Sequence, residues 1–179
     1  MATTGALVFD KDAYVDEANP SVNYDTGGLF VGCAASKAST SLIALAYVDF
    51  SAFGLTADQV TAAVCKMYCG GETNEVSGAK WYRSSSDFTE STVSWNTKPA
   101  YDGTVFSDVQ NPEPVGWTTW NILDMITDAI TNRSGIWNAQ CWATTYSAGV
   151  DDLATFCKFI YIRRNPCEQY STENFIKIN

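Results

Sequence analysis

Ser86-Asp87-Phe88-Thr89-Glu90-Ser91-Thr92-Val93-Ser94-Trp95-Asn96-Thr97-Lys98-Pro99 is the stretch on which the reading of the fold turns. Taken by its own residues it is a polar turn, a short β-run at 92–95 and a proline stop, because proline cannot donate to a strand ladder. The chain on either side has the same texture. Short alternating apolar runs are separated by Gly, Asn, Asp, Ser and Pro, the pattern of a half-buried antiparallel sheet. It predicts strands at 6–9, 12–16, 29–33, 42–50, 61–69, 79–84, 92–95, 117–121, 137–144, 156–162 and 174–178. Turn chemistry falls between them at Asp25-Thr26-Gly27-Gly28, Gly70-Gly71-Glu72, Asp102-Gly103 and Pro112-Glu113-Pro114.

One segment departs from this period. Apolar residues at 122, 123, 126, 129 and 130 form a helical stripe. Asn121 is placed to cap it, and Asp124 suits the positive end of the helix dipole. The expected fold is therefore all-β: a jelly-roll-like antiparallel β-sandwich with one short helix at about 122–131, in a single domain spanning 1–179.

Composition narrows the function. With 46% apolar and 17% charged residues among 179, the chain is large enough to bury a core without staples. Its net charge of −9 repels phosphate backbones and argues against nucleic acid. No apolar run approaches the ~20 residues needed to span a bilayer, so no membrane insertion is expected. There is no histidine, so a serine triad or a Cys–His dyad cannot form. Asp151 and Asp152 are neighbours in sequence, but neighbouring strand residues point to opposite faces. Nothing sets two carboxylates ~5 Å apart for glycosidase chemistry. No phosphate loop or nucleophile elbow is present. The chain reads as a non-enzyme with no cofactor.

The quoted stretch, taken with Asp12-Ala13-Tyr14-Val15-Asp16-Glu17-Ala18-Asn19-Pro20-Ser21-Val22-Asn23-Tyr24, resembles the DNRLRE domain family. Further fragments follow in order. Leu29-Phe30-Val31-Gly32 is similar to the family's L-x-V-G strand end, and Tyr47-Val48-Asp49-Phe50-Ser51 to R-F-D-L-S. Val60-Thr61-Ala62-Ala63-Val64-Cys65-Lys66-Met67-Tyr68 is similar to V-x-x-A-x-L-x-L-Y. Gly116-Trp117-Thr118-Thr119-Trp120-Asn121-Ile122 is similar to W-x-x-F-D-V. Tyr47 stands where the family usually has Arg, and Asn121 where it has Asp. The match fades after residue 135. The resemblance implies an extracellular β-sandwich module related to carbohydrate-binding modules, and a short helix after Asn121.

The aromatic content suits such a module, since a flat ring can stack on the apolar face of a pyranose. By strand parity one of Trp81 and Tyr82, and one of Trp117 and Trp120, faces the core. The glycan-binding candidates are Tyr24, Tyr82, Tyr101 and Trp117. Asp16, Glu17 and Asn19 are hard oxygen donors clustered before Pro20 and are weak Ca²⁺ candidates, with a solvated turn as the competing reading. Six cysteines stand at 33, 65, 69, 141, 157 and 167. Cys65 and Cys69 share a strand face with Met67 and are too far apart along it to bridge each other. Cys33, Cys141, Cys157 and Cys167 are disulfide candidates, and buried free thiols are the alternative.

Two functions fit. Met1 to Phe9 shows neither a basic nor a strongly apolar leader region, and no Ser/Thr/Pro linker trails the domain. With the cysteine content, these features predict a structural or adhesive module on a large assembly such as a virion (a phage capsid, neck or tail component), oligomeric and partnered by other subunits. The alternative is a carbohydrate-binding module of a secreted polysaccharide-active protein, with glycans as its partners. The location expected is virion or extracellular.

Overall fold

A computed structural model describes residues 4–26, 28–33, 41–73, 77–112, 115–145 and 152–164. Among these residues ten strands and one α-helix follow in the order β1 (Thr4–Leu7), β2 (Lys11–Asp16), β3 (Leu29–Cys33), β4 (Ser41–Asp49), β5 (Val60–Thr73), β6 (Ser77–Ser84), β7 (Tyr101–Phe106), β8 (Gly116–Asn121), α1 (Leu123–Asn132), β9 (Ile136–Thr145) and β10 (Asp152–Arg164). Every pairing is antiparallel. One sheet runs β2-β4-β9-β6-β7. In the other, β10 is flanked by β1 and β3 on one side and by β5, then β8, on the other. The sheets join where Gly32 and Cys33 pair with Leu42 and Ser41. Gly32 sits there at φ +140°, a backbone conformation that favours glycine.

This is the expected β-sandwich with one helix, and most strands lie where the alternation put them. Two places differ. Residues 92–95 are not a strand. The N–H groups of Thr92 and Val93 both donate to the Thr89 carbonyl, at 3.1 and 2.9 Å, and those of Thr97 and Lys98 to that of Ser94, at 3.1 and 2.8 Å. Consecutive turns thus consume the donors that a strand would offer its neighbours. Conversely, Tyr101–Phe106 forms β7 around an Asp-Gly pair that reads locally as a turn. Phe106 pairs with Tyr82 and Asp102 with Arg83, so residues 103–105 are accommodated as an irregularity in the ladder. The strand expected at 174–178 lies outside the described residues.

The sandwich interior is built on unequal partners. Ala44, Ala46 and Val48 of β4 and Ala139 and Cys141 of β9 present small side chains. They leave room for Trp81, Trp120, Trp137 and Met67, all fully buried or nearly so. Trp81 meets Trp120 edge-on at 6.3 Å and Trp137 at 5.5 Å. The Trp120 indole N–H donates to the Ala79 carbonyl at 2.9 Å, tying β8 of one sheet to β6 of the other.

Helix α1 closes one end. It buries Met125, Ile126 and Ala129 and extends the apolar stripe from Ile122. The Asn121 side chain accepts the Leu123 N–H at 3.0 Å, so it caps from one residue before the N-cap position. Arg83 reaches from β6 to Asp128 on the helix at 2.6 Å and also holds Asp102 of β7. After the helix the chain turns at Gly135 (φ +83°), where a Cβ would lie 2.8 Å from the Ser51 Cα. Only glycine allows that approach.

Candidate functional site

Strand β4 is apolar on both faces, and so is buried on both. Its outward residues Ile43, Leu45 and Tyr47 join Ala13 and Val15 of β2 in a second core, sealed by Phe88 and Val93 from the segment after β6. The two sequence segments that carry the family resemblance meet here. The Asn23 side-chain amide donates to the carbonyls of Glu90 and Val93 at 2.7 and 2.8 Å. The Asp12 N–H donates to the Glu90 carboxylate at 2.9 Å, and Asn96 N–H to the Pro20 carbonyl at 3.0 Å. Lys11 pairs with Asp87 at 2.5 Å while its ammonium sits 4.1 Å from the Tyr47 ring centre. A turn-rich segment is thus stitched across half of the sheet's outer face.

The other half of that face carries a row of rings. Trp95, at the edge of the covering segment, is followed by Trp142 at 6.5 Å, and Trp142 by Tyr101 at 5.3 Å. Tyr82 lies 5.4 Å from Tyr101, and Phe106 lies 6.3 Å from Tyr82. Tyr101 is 53% and Phe106 44% exposed, while Trp95, Trp142 and Tyr82 are half-buried. Interplanar angles of 53–61° make the row corrugated. Lys80 lies 3.4 Å from the Phe106 centre and 5.3 Å from that of Tyr82, and Lys98 lies 3.8 Å from Trp95. Each end of the row therefore carries a cation over a ring.

The row is held from below. Buried Gln140 donates to the Pro99 carbonyl at 2.6 Å and accepts the Trp142 indole N–H at 3.3 Å. The covering segment thereby fixes Trp142 through one amide. Burial first, and neighbouring Tyr101 second, hold the Tyr82 phenol above its ordinary pKa, so the ring stays neutral through the physiological range. Burial lowers the pKa of Lys98, opposed by Glu17.

Of the four candidates read from sequence, Tyr82 and Tyr101 come together in this row. Trp117 does not. It lies on β8 of the other sheet, 5.3 Å from Tyr68. Tyr24 stacks on Tyr14 at 4.4 Å and 18°, with Phe30 edge-on to Tyr14, so one of its faces is already in use. The row also takes in Trp95, Trp142 and Phe106, which are not among the candidates read from sequence. Trp142 shares strand parity with Gln140 and Asn138, polar residues that mark the outward face of β9. That was the available signal. Phe106 gave none, because its strand was not foreseen.

Residues 4–141 match the model of carbohydrate-binding module family 96. The chain belongs to this family. The matched span takes in the covering segment and every ring of the row except Trp142, which stands one residue beyond it. No curated protein matches the chain. The sequence resemblance to modules related to carbohydrate-binding modules thus leads to a carbohydrate-binding family.

The remaining candidates of this family-96 module have local roles. Asp16 accepts the Ala18 N–H at 2.8 Å and the Asn19 side-chain amide at 2.6 Å, and Glu17 accepts the Ser41 N–H at 3.0 Å. The three thus close a turn and anchor β4. Among the described residues no group of three acidic or sulfur ligands is placed to hold a metal. Cys141, a disulfide candidate, is instead a free thiol sealed in the core, as is Cys65, and Cys69 is buried with them. Its inward position on β9, paired with Ala44 and Trp81, makes it a small apolar filler. Burial pushes its thiol pKa far up, as it does that of Cys65. Of Cys33 and Cys157 only the backbone is described, in β3 and β10, and Cys167 lies outside the described residues. Asp102 and Asp128 converge on the one Arg83 guanidinium. The Thr104 hydroxyl first, then Arg83, hold the Asp102 carboxyl far below its ordinary range, so it stays ionised and is no proton donor. Among the described residues no helix is long and apolar enough to cross a membrane.

Proposed function

We propose that this chain is a non-catalytic carbohydrate-binding module that holds a glycan along the row Trp95–Trp142–Tyr101–Tyr82–Phe106. The observation that carries the reading is the row itself: five rings in succession on the open half of a sheet face, in a member of a carbohydrate-binding family. A pyranose has an apolar C–H face and a rim of hydroxyls. It stacks on a ring by dispersion and by contact with the negative ring face. Locked rings lose little conformational entropy on binding, so more of the contact energy appears as affinity. Lys80 and Lys98 supply donors for hydroxyl or carboxylate oxygens at the two ends. An elongated row with no deep pocket suits the interior of a polysaccharide chain rather than a free monosaccharide.

The family match supports this reading over that of a virion subunit, for which neither the geometry nor the comparison supplies a feature. The test is electrophoresis through gels cast with hydroxyethyl cellulose, xylan, galactomannan, pectin or alginate. The protein should be retarded by at least one, with no release of reducing sugar. Tyr101→Ala and Trp142→Ala should each reduce the retardation in that gel. Retardation unchanged by both substitutions would overturn the assignment to this row.

A further inference from the structure

We propose that the module has a second glycan contact, built on Tyr68 and Trp117 on the opposite outer face of the sandwich, and is therefore bivalent. The inference rests on the glycan-binding reading above and adds a site on a different sheet. Tyr68 of β5 and Trp117 of β8 are register partners, with ring centres 5.3 Å apart at 73°. Trp117 is 43% exposed, and the Lys66 ammonium lies 4.9 Å from its ring centre. The next outward pairs along the same two strands are Lys66 with Thr119 and Val64 with Asn121. Two rings are thus followed in consecutive rows by an ammonium, a hydroxyl and an amide. Thr119 and Asn121 are exposed.

That mixture decides the occupant. A protein partner would call for an apolar centre ringed by polar residues. Here a row of two rings passes directly into rows that carry hydrogen-bonding groups, at the step of strand residues i and i+2, roughly 7 Å. A sugar chain likewise sets apolar ring faces beside hydroxyl edges. The first row has the same ingredients: adjacent aromatic rings with a lysine ammonium over one of them.

The placement excludes a single extended site. On β5 and β8 the residues alternating with Tyr68, Lys66, Trp117 and Thr119 are Cys65, Met67 and Trp120, which fill the core. The two ring sets therefore point away from each other across both layers of the sandwich. One short oligosaccharide cannot touch both. Two chains can be bridged, and on a polysaccharide surface the second contact gains from effective concentration.

The experiment uses the full chain, with hexasaccharides of cellulose, xylan, mannan and alginate as calorimetric probes and the matching soluble polysaccharides for turbidity. For the hexasaccharide that binds, the wild type should take two per chain. Trp117→Ala and Tyr101→Ala should each take one, and the double variant none. Trp117→Tyr, which keeps a flat ring, should keep two. The wild type should cloud the long polysaccharide at intermediate ratios, and each single Ala variant should bind it without clouding. One site, lost in Tyr101→Ala and untouched by Trp117→Ala, would overturn the second contact and leave the first row standing. A single site lost in Trp117→Ala alone would overturn bivalency and the first row together. No binding of any probe or polysaccharide would overturn the glycan reading as well. A concentration-dependent dimer that Trp117→Ala abolishes, with a single hexasaccharide site, would show that the patch seats a second copy and would overturn the proposal.

Discussion

The two halves of one sheet face have opposite fates. Over β2 and β4 the outward residues Ile43, Leu45 and Tyr47 lie under Phe88 and Val93 and are buried. Over β9, β6 and β7 the outward residues Trp142, Tyr82, Tyr101 and Phe106 keep part or much of their surface. Both halves present large apolar or aromatic side chains turned outward by the same strand alternation. What separates them is the reach of one segment, 85–100. Where it lies over the sheet an apolar face is a core. Past its edge the same kind of face is a surface with affinity to spare. Trp95 and Trp142 stand at that border, and Gln140 couples the halves by holding both Pro99 and Trp142.

The largest expected effect tests whether the covered half is a core. Phe88→Ala should cost about 3–5 kcal/mol of stability, the range for removing a buried aromatic ring. Urea unfolding followed by tryptophan fluorescence measures it. A loss no greater than that of Tyr101→Ala would erase the distinction between the halves.

Next comes the stitch itself. Asn23→Ala leaves the Glu90 and Val93 carbonyls without their donor and should cost about 1–3 kcal/mol. In hydrogen exchange the loss should show first as faster exchange of the amides of 85–100, while β5 keeps its protection. Uniform loss across both regions would mean that the segment does not open separately from the sandwich.

On the open half the prediction inverts. Tyr101→Ala should change stability by no more than about 0.5 kcal/mol, as an exposed substitution. It should weaken glycan binding about tenfold, which corresponds to ~1.4 kcal/mol. Thermal melts and titration of the retained polysaccharide check the two together.

The smallest effect concerns the clamp that holds β7 to the helix. The Asp102 pKa is depressed in the folded chain, so its pairing with Thr104 and Arg83 stabilises fully above the ordinary value of 3.8 and is lost as pH falls below it. Wild type should therefore melt slightly above Asp102→Asn at neutral pH. The gap should close on acidification below that value and shrink in high salt, because the pair is near the surface. A gap that widens on acidification would reverse the assigned role.

Much of the fold was legible locally. Ala63, Cys65, Met67 and Cys69 alternate with Ala62, Val64, Lys66 and Tyr68, and the first set is buried. The helical stripe at 122–130 is α1, because a period of 3.6 differs plainly from one of 2. The failures lie where a local signal served a non-local purpose. Thr92-Val93-Ser94-Trp95 has strand composition, but its apolar residues are spent on covering β2 and β4. Asp102-Gly103 has turn composition, yet the chain stays extended beside β6 and absorbs the extra residues as an irregularity. In the candidate site, Tyr82 and Tyr101 were legible as residues that could stack, but their company was not.

By itself the sequence determined the β-sandwich class, the helix, the inward face of β5 and, through segments 12–24 and 86–99, the route to a carbohydrate-binding family. These depend on periodicity and on motifs within short windows. Only the tertiary structure decided which apolar face is core and which is surface. That choice depends on where residues 85–100 come to rest over strands that lie from about forty to nearly eighty positions away in sequence. Alternation states that a face is apolar. It carries no information about what lies on top of it.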